Sequence, residues 1–478
     1  MNRSEHGAVE DRGSAVCIIG AGPGGLSMAR ALRALGVPYE QFERHDDVGG
    51  LWDMRNPGSP VYESAHFISS RQLSGFIGYP MPVSWPDYPS HRHILSYVHG
   101  FADAYGLRSH IRFGLGVKRV RKESSGRWLV ELAIGEQRRY AAVVCATGVN
   151  WNPALPALRG ELHGEVRHAN TYKSAAELRG KRVLVIGAGN SGVDIACDAA
   201  AHAARAFISM RRGYHIIPKH VLGEPADVFG EKAPWAPLWL KRLSMNTILG
   251  AVRGDVTRWG FPAPSHRLFE SHPLLNDQIL HHAQHGDLVV KPDVERLDGR
   301  QVVFSDGSRE DVDLVLCATG YNWSIPYASD HFSWKSGRPE LYLAMFNREH
   351  RNLFCIGYLE TNSSAYKLFD TQAWMIASYL GAQRSAPGIA SQFDALIASD
   401  APDMSGGIRF VHSARHAVYL DAYTYKRYLK GLRQRFGWGE PDAAVYARLA
   451  VQPLPQPTLR ERVRPEELRA HQELAHDA

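Results

Sequence analysis

VLVIGAGNSGVDIA, residues 183–196, decides the fold. An apolar run, Arg182 to Ile186, reads as a buried strand. Gly187, Gly189 and Gly192 then make a tight turn, and small residues open a helix. In such a strand–turn–helix unit the first glycine permits the turn and the second lets backbone approach a pyrophosphate. The third lets helix pack close on strand, with the helix N-terminus aimed at the phosphates. Asn190 and Ser191 sit at that helix start, where a hydroxyl meets a phosphate. The next strand, Ala204 to Met210, ends in Arg211-Arg212. A guanidinium there grips a 2′-phosphate with paired hydrogen bonds, so the spacing predicts an NADPH site.

Working outward, CIIGAGPGGLSMAR (residues 17–30) repeats the design near the amino terminus. Val16 to Ile19 read as the strand and Gly20, Gly22, Pro23, Gly24 and Gly25 as the turn. Leu26, Ala29, Leu32 and Leu35 form a helical stripe closed by Gly36. The second strand here, Pro38 to Glu43, ends in an acid. Glu43 falls where a carboxylate accepts hydrogen bonds from an adenosine ribose, and it would repel a 2′-phosphate. The first site therefore takes a different dinucleotide from the second. A hydride donor in one and an acceptor in the other is the economical pairing, with FAD as the acceptor.

A second repeat sets the domain borders. AAVVCATGVNWNP (141–153) and VDLVLCATGYNWSIP (312–326) each read as a buried strand ending in Ala-Thr-Gly. They mark two crossing points, with Thr319 and Gly320 beside bound nucleotide. The expected fold is α/β, with two Rossmann-like dinucleotide-binding domains. The FAD domain spans 1–165 and 321–478, and the NADPH domain, 166–320, is inserted into it. Residues 115–140 and 289–305 alternate as strands of small sheets. Residues 214–285, rich in Pro, Trp and His, predict irregular helices near a substrate entrance.

The net charge of +6 is mild and scattered, which argues against nucleic acid as a partner. The five cysteines form no CxxC pair, read as buried small hydrophobes in a reducing compartment, and exclude a disulfide reductase. The polar start, MNRSEHGAVEDRG, has no signal-peptide core, and no window is apolar enough to span a membrane. The charged end, RERVRPEELRAHQELAHDA (460–478), predicts a solvated helix. A cytoplasmic protein without membrane contact is expected, with a homodimer as the assembly to test. His281, His282 and His285 share a helix face without convincing ligand spacing, so no metal is expected.

With these residues in hand, the chain resembles the flavin-containing monooxygenases over nearly its whole length. The resemblance adds GGLW at Gly49 to Trp52 (Gly50, Leu51 and Trp52 near flavin), YPSH at 88–91 and ATGY at 318–321. LHGEVRHANTY (162–172) matches the family signature at Gly164, His168 and Tyr172, with Leu162 in place of the usual Phe. Tyr172 resembles the heteroatom-oxidising branch, since the related Baeyer–Villiger enzymes usually carry Trp there. The family's linker role for this segment implies a structural part for His168. The resemblance implies that NADPH reduces the flavin, that O2 adds as a C4a-hydroperoxide, and that a small soft nucleophile (an amine nitrogen or sulfur) takes one oxygen atom. Many members place an Asn near that peroxide. Here YESAHFISSRQ (62–72) puts Ile68, Ser69 and Ser70 at the place, and a hydroxyl replaces only part of an amide's hydrogen bonding. Ser69, Ser70 and Tyr172 are the candidate catalytic residues. Baeyer–Villiger oxidation of a ketone, an NADPH oxidase releasing hydrogen peroxide, and a sensor without turnover are the competing functions.

Overall fold

The computed structural model describes residues 9–455, positions 234 and 414 excepted; the expected carboxyl-terminal helix lies outside them. Its organising element is a seven-stranded sheet in the order Leu341–Tyr342, Phe346–Asn347, Leu353–Cys355, Ala142–Cys145, Val16–Ile19, Tyr39–Phe42, Ile111–Arg112. The five strands from Leu353–Cys355 onward are parallel; the first two join antiparallel. Continuous apolar runs such as Val16–Ile19 are what a strand covered on both faces requires. Side-chain alternation sorts them. Val16, Ile18, Ala142 and Val144 pack in a core with the helices Pro23–Ala34, His91–Ala104 and Tyr366–Ser385. Cys17, Ile19, Val143 and Cys145 face the opposite way, against Val120, Trp128, Val130 and Tyr140 of a small meander. That meander is Val117–Lys122, Trp128–Leu132 and Gln137–Tyr140, edged by Glu10–Asp11, where the alternation in 115–140 predicts it.

The second sheet repeats the plan with five parallel strands: Glu165–His168, Leu314–Cys317, Arg182–Ile186, Arg205–Ser209, Leu288–Lys291. Val183, Val185, Ala206 and Ile208 share a core with residues of the helices Asn190–His202 and Gln278–His285. Leu184, Ile186 and Phe207 turn to Leu297, Val302 and Phe304. These come from a second meander: Val294–Gly299, Gln301–Phe304 and Arg309–Asp311, with Gly160–Leu162 alongside. The stretch 289–305 is therefore divided, contrary to the expectation of one small sheet. Leu288 and Val289 pair with Ala206 and Phe207 in the parallel sheet, and the meander starts only at Val294.

The two sheets are joined where the repeated Ala-Thr-Gly segments leave them. Ala154 N–H donates to Gly320 O (3.0 Å) and Asn322 N–H to Asn152 O (2.8 Å), so the outgoing and returning chains run side by side. Gly160–Leu162 already pairs with the second meander, so strand pairing brings the chain into the second unit before residue 166. The excursion at 214–285 forms the helices Ala226–Glu231, Leu238–Arg253 and Gln278–His285, and it docks back on the first unit. Asp227 accepts Ser70 N–H at 2.7 Å, and the Tyr88 hydroxyl donates to the Lys219 carbonyl. Among the described residues, no helix is long and apolar enough to cross a membrane. All five cysteines are buried and free.

Candidate functional site

Both glycine turns are built by one rule, and the structure gives its reason. A Cβ on Gly20 (φ 110°) would stand 2.6 Å from Ala146 O, and one on Gly187 (φ 102°) 2.7 Å from Ala318 O. The Ala-Thr-Gly repeats thus abut the first glycine of each turn. A Cβ on Gly25 would lie 2.0 Å from Gly20 O, and one on Gly192 2.1 Å from Gly187 O, so each helix can seat on its strand only with glycine there. The helices Pro23–Ala34 and Asn190–His202 both start without a side-chain cap. Two helix N-termini without side-chain caps, opening over turns whose first and third glycines admit no Cβ, fit two phosphate-bearing ligands.

The first turn is completed by three neighbours. Glu43 accepts from Ala21 N–H (2.7 Å) and from His45 N–H (2.9 Å), which fixes the carboxylate at the end of its strand. Gln41 Nε2 donates to Gly20 O (2.8 Å), a contact that no sequence motif flagged. The Gly50–Trp52 turn lies against the cradle: the Cβ position of Gly22 is 3.5 Å from Gly50 Cα, and Ser59 Oγ and Asn56 Nδ2 hold the Leu51 and Gly50 carbonyls. Trp52 packs edge-on to Phe67. Cβ space at Gly24 is bounded by Ile356, which follows strand Leu353–Cys355. These residues would hold FAD.

In the second turn Ser191 is exposed, and no atom lies within 4 Å of the Cβ position of Gly189. Arg211 is exposed and has no partner among the described residues. Arg212 lies over the Tyr214 ring (5.1 Å) and donates Nε to its hydroxyl (3.1 Å), which leaves both Nη atoms free for a phosphate. Two residues expected at this nucleotide are engaged elsewhere. Asn190 Oδ1 accepts from Leu275 N–H (3.0 Å), and Thr319 Oγ1 donates to Ala154 O (2.6 Å). Thr319 and Gly320 serve the crossing of the chain.

The expectation that Tyr172 is catalytic is corrected by its surroundings. It is 0% exposed, its hydroxyl donates to Asp198 Oδ2 (2.8 Å), and burial, with Asp198 beside it, drives its pKa far up. Its signature neighbours are structural as well. A Cβ on Gly164 would strike Asp313 O at 2.3 Å. His168 accepts Asn170 N–H at Nδ1 (3.1 Å), which leaves Nε2 to donate to Gly320 O (3.0 Å). Burial lowers the pKa of His168, as its neutral bonding pattern requires.

Sequence reasoning missed the two acids that lock the units together. Asp194 and Asp198 lie one turn apart on the second cradle's helix. Asp194 accepts from Tyr62 (3.1 Å) and Asn276 (2.6 Å), and Asp198 from Ser64 (2.5 Å) and Tyr172. They fix the loop that leads to Ser69 and Ser70. Ser69 is half-buried; Ser70 is 0% exposed, and its Oγ has no partner among the described residues. The only His/Asp/Glu/Cys group with metal-like spacing among the described residues is His45, Asp46 and Asp53, where Arg55 already pairs with Asp53 at 2.8 Å. The helix carrying His281, His282 and His285 contributes none.

Residues 13–425 match the sequence profile of the family described as Flavin-binding monooxygenase-like. The chain is 30% identical over 464 residues to "Flavin-containing monooxygenase 5" of Homo sapiens, covering 91% of this chain and 86% of that protein. It is 31% identical over 363 residues to "Probable indole-3-pyruvate monooxygenase YUCCA9" of Arabidopsis thaliana, covering 70% of this chain and 84% of that protein. Among solved structures, an ε-caprolactone-bound cyclohexanone monooxygenase shares the fold, with TM-score 0.67 at 18% identity over 89% of this chain and 98% of that one. The chain belongs to the flavin-binding monooxygenase family, a family of flavin-dependent oxidoreductases that use FAD and NADPH.

Proposed function

We propose that this chain is an NADPH-dependent monooxygenase that places one oxygen atom of O2 on a small soft nucleophile, an amine nitrogen or a sulfur. The observation that carries the reading is the pair of like-built cradles that differ at one place: Glu43 follows the second strand of the first, and Arg211-Arg212 follow the same strand of the other. When bound, FAD supplies the oxygen chemistry and NADPH the hydride. The protein's part is positioning and exclusion of water. Gly20 and Gly187 let backbone approach the phosphates, Glu43 receives a ribose, and Arg212 with Arg211 selects the 2′-phosphate. Asp194 and Asp198 hold the two cradles in one register. No acid–base group with a free proton is needed at the seam, which agrees with Tyr172 and His168 being committed to Asp198 and Gly320.

A second reading rests on Ser70. Its hydroxyl is fully buried and its N–H is taken by Asp227, so neither offers the two-handed hydrogen bonding of an amide. That favours loss of activated oxygen as hydrogen peroxide. The test is turnover of flavin-loaded protein with NADPH and isotopically labelled O2, with a tertiary amine, a thioether and a cyclic ketone as probes. The proposal expects one labelled oxygen in the N-oxide or sulfoxide for most of the NADPH consumed. Quantitative conversion of NADPH to peroxide with every probe would establish the oxidase reading instead, and an ester from the ketone alone the Baeyer–Villiger one.

A further inference from the structure

One buried arginine is not used by the nucleotide reading. Arg338 sits on the hairpin Trp334–Lys335/Arg338–Pro339, is 7% exposed, and stacks its guanidinium over Trp323 at 4.2 Å. Among the described residues its Nε is buried without a partner, and its one hydrogen bond is from Nη1 to the adjoining Gly337 carbonyl at 3.2 Å. Among the described residues no carboxylate pairs with it. A buried guanidinium without a counterion is costly, so it stays in a fold only where something repays it.

Its surroundings place it beside the flavin cradle. Trp323 follows the second Ala-Thr-Gly turn and meets Tyr358 edge-on (5.9 Å), and the Tyr358 hydroxyl bonds Thr147 (3.1 Å) next to Gly20's neighbour Ala146. This is the carboxyl end of the parallel strands, where open α/β sheets take their ligands. Across from it stands Arg415, whose side chain is 43% accessible and pairs with Glu360 at 3.1 Å. The following residue, His416, accepts His272 N–H from the second unit (3.3 Å), so Arg415 lies on the seam. Burial first, and the Arg415 charge with it, push the Arg338 pKa down, with Glu360 pulling the other way. Among the described residues Glu360 is paired with Arg415 alone, so the Arg338 charge stays unbalanced.

We propose that Arg338 and Arg415 form a subsite for the carboxylate of the substrate, so that the nucleophile this enzyme oxidises carries an acidic group. The inference rests on the seam being the reaction site. Trp323 offers an apolar floor, Arg338 a fork with its Nη2 unengaged, and Arg415 a second cation balanced by Glu360. A carboxylate brings the cluster to charge balance, and a neutral amine or thioether does not.

The test uses flavin-loaded protein titrated calorimetrically with benzoate and with benzamide, which match in shape and differ in charge. Benzoate is expected to bind at least about tenfold tighter. Arg338→Met should remove that preference, while Arg338→Lys keeps part of it because charge remains without the fork. NADP⁺, titrated in parallel, should hold its affinity in both variants. Equal binding of the two probes, no saturable benzoate signal, or benzoate binding that survives Arg338→Met would overturn the proposal. So would a loss of NADP⁺ affinity in step with benzoate, which would give the arginine to the cofactor. If Arg338→Met does not fold, the Lys variant and the benzoate/benzamide ratio of the unaltered protein decide. These titrations read out without turnover, so a failure of the monooxygenase reading stays distinguishable.

Discussion

Arg211 and Arg212 are neighbours in sequence, but the structure makes them unequal, and the inequality is measurable. Arg212 is held in place before any ligand arrives: its guanidinium lies over Tyr214 and its Nε is bonded to the ring hydroxyl. A charge-assisted hydrogen bond from such a fixed fork contributes about 1.5–3 kcal/mol. Arg212→Ala should therefore lower kcat/KM for NADPH roughly 10- to 150-fold. Arg211 is exposed and unsupported, so its contribution is that of a surface charge, about 0.2–1 kcal/mol, or roughly a 1.5- to 5-fold loss. Neither change should alter kcat/KM for NADH, which lacks the 2′-phosphate. Tyr214→Phe, which keeps the ring and deletes the hydroxyl, should fall between the two. Initial rates with NADPH and NADH on flavin-loaded protein give the ratio directly. A larger loss from Arg211→Ala than from Arg212→Ala, or an unchanged NADPH/NADH ratio in both, would refute the assignment of the 2′-phosphate to the fixed arginine.

Three other outcomes are expected. Arg30 on the first cradle's helix and Asp370 on the helix Tyr366–Ser385 form a pair 2.8 Å apart with both side chains 0% exposed, so Arg30→Met should cost about 3–5 kcal/mol in denaturant unfolding and release flavin. Adding Asp370→Leu should restore most of the loss; a single-variant cost below about 1 kcal/mol contradicts the account. Tyr172→Phe should cost about 1–3 kcal/mol of stability by leaving Asp198 short of a donor, with kcat unchanged; a large fall in kcat at unchanged stability would return Tyr172 to the chemistry. His91 and His416 are 5% and 7% exposed, and burial first, then neighbouring arginines, push each pKa down to about 4. The folded state refuses a proton that the unfolded chain accepts near pH 6.5. Stability is therefore whole above that pH and falls as pH drops toward 4, by up to about 3 kcal/mol per histidine. Urea midpoints across this range should flatten in His91→Gln and His416→Gln, and an unchanged slope would show that other groups carry the acid sensitivity.

The cradles were legible because their rules are local. Gly25 and Gly192 are fixed by contacts within one strand–turn–helix unit, Gly20 and Gly187 are placed by their spacing to them, and Glu43 and Arg211-Arg212 by strand length. The Ala-Thr-Gly repeats were readable as crossings, although their packing on the first glycines was not. What stayed hidden is long-range: Arg30 meets Asp370, Ser64 meets Asp198 and Ser70 meets Asp227 only after both sheets assemble, and none of these pairs leaves a periodic trace. Tyr172 misled for the same reason. Its place in the signature is local, but its burial against Tyr62 and Asp198 is tertiary. Residues 289–305 alternate throughout, and alternation cannot tell a meander strand from the edge strand Leu288–Lys291 of a parallel sheet.

Two cradles in one chain imply a hydride donor and a flavin acceptor held in register. Anaerobic titration of the flavin-loaded protein with NADPH tests it most directly. Flavin absorbance should bleach stoichiometrically with added NADPH, and far more slowly with NADH at equal concentration. Retained colour at saturating NADPH, with NADP⁺ binding intact, would contradict it.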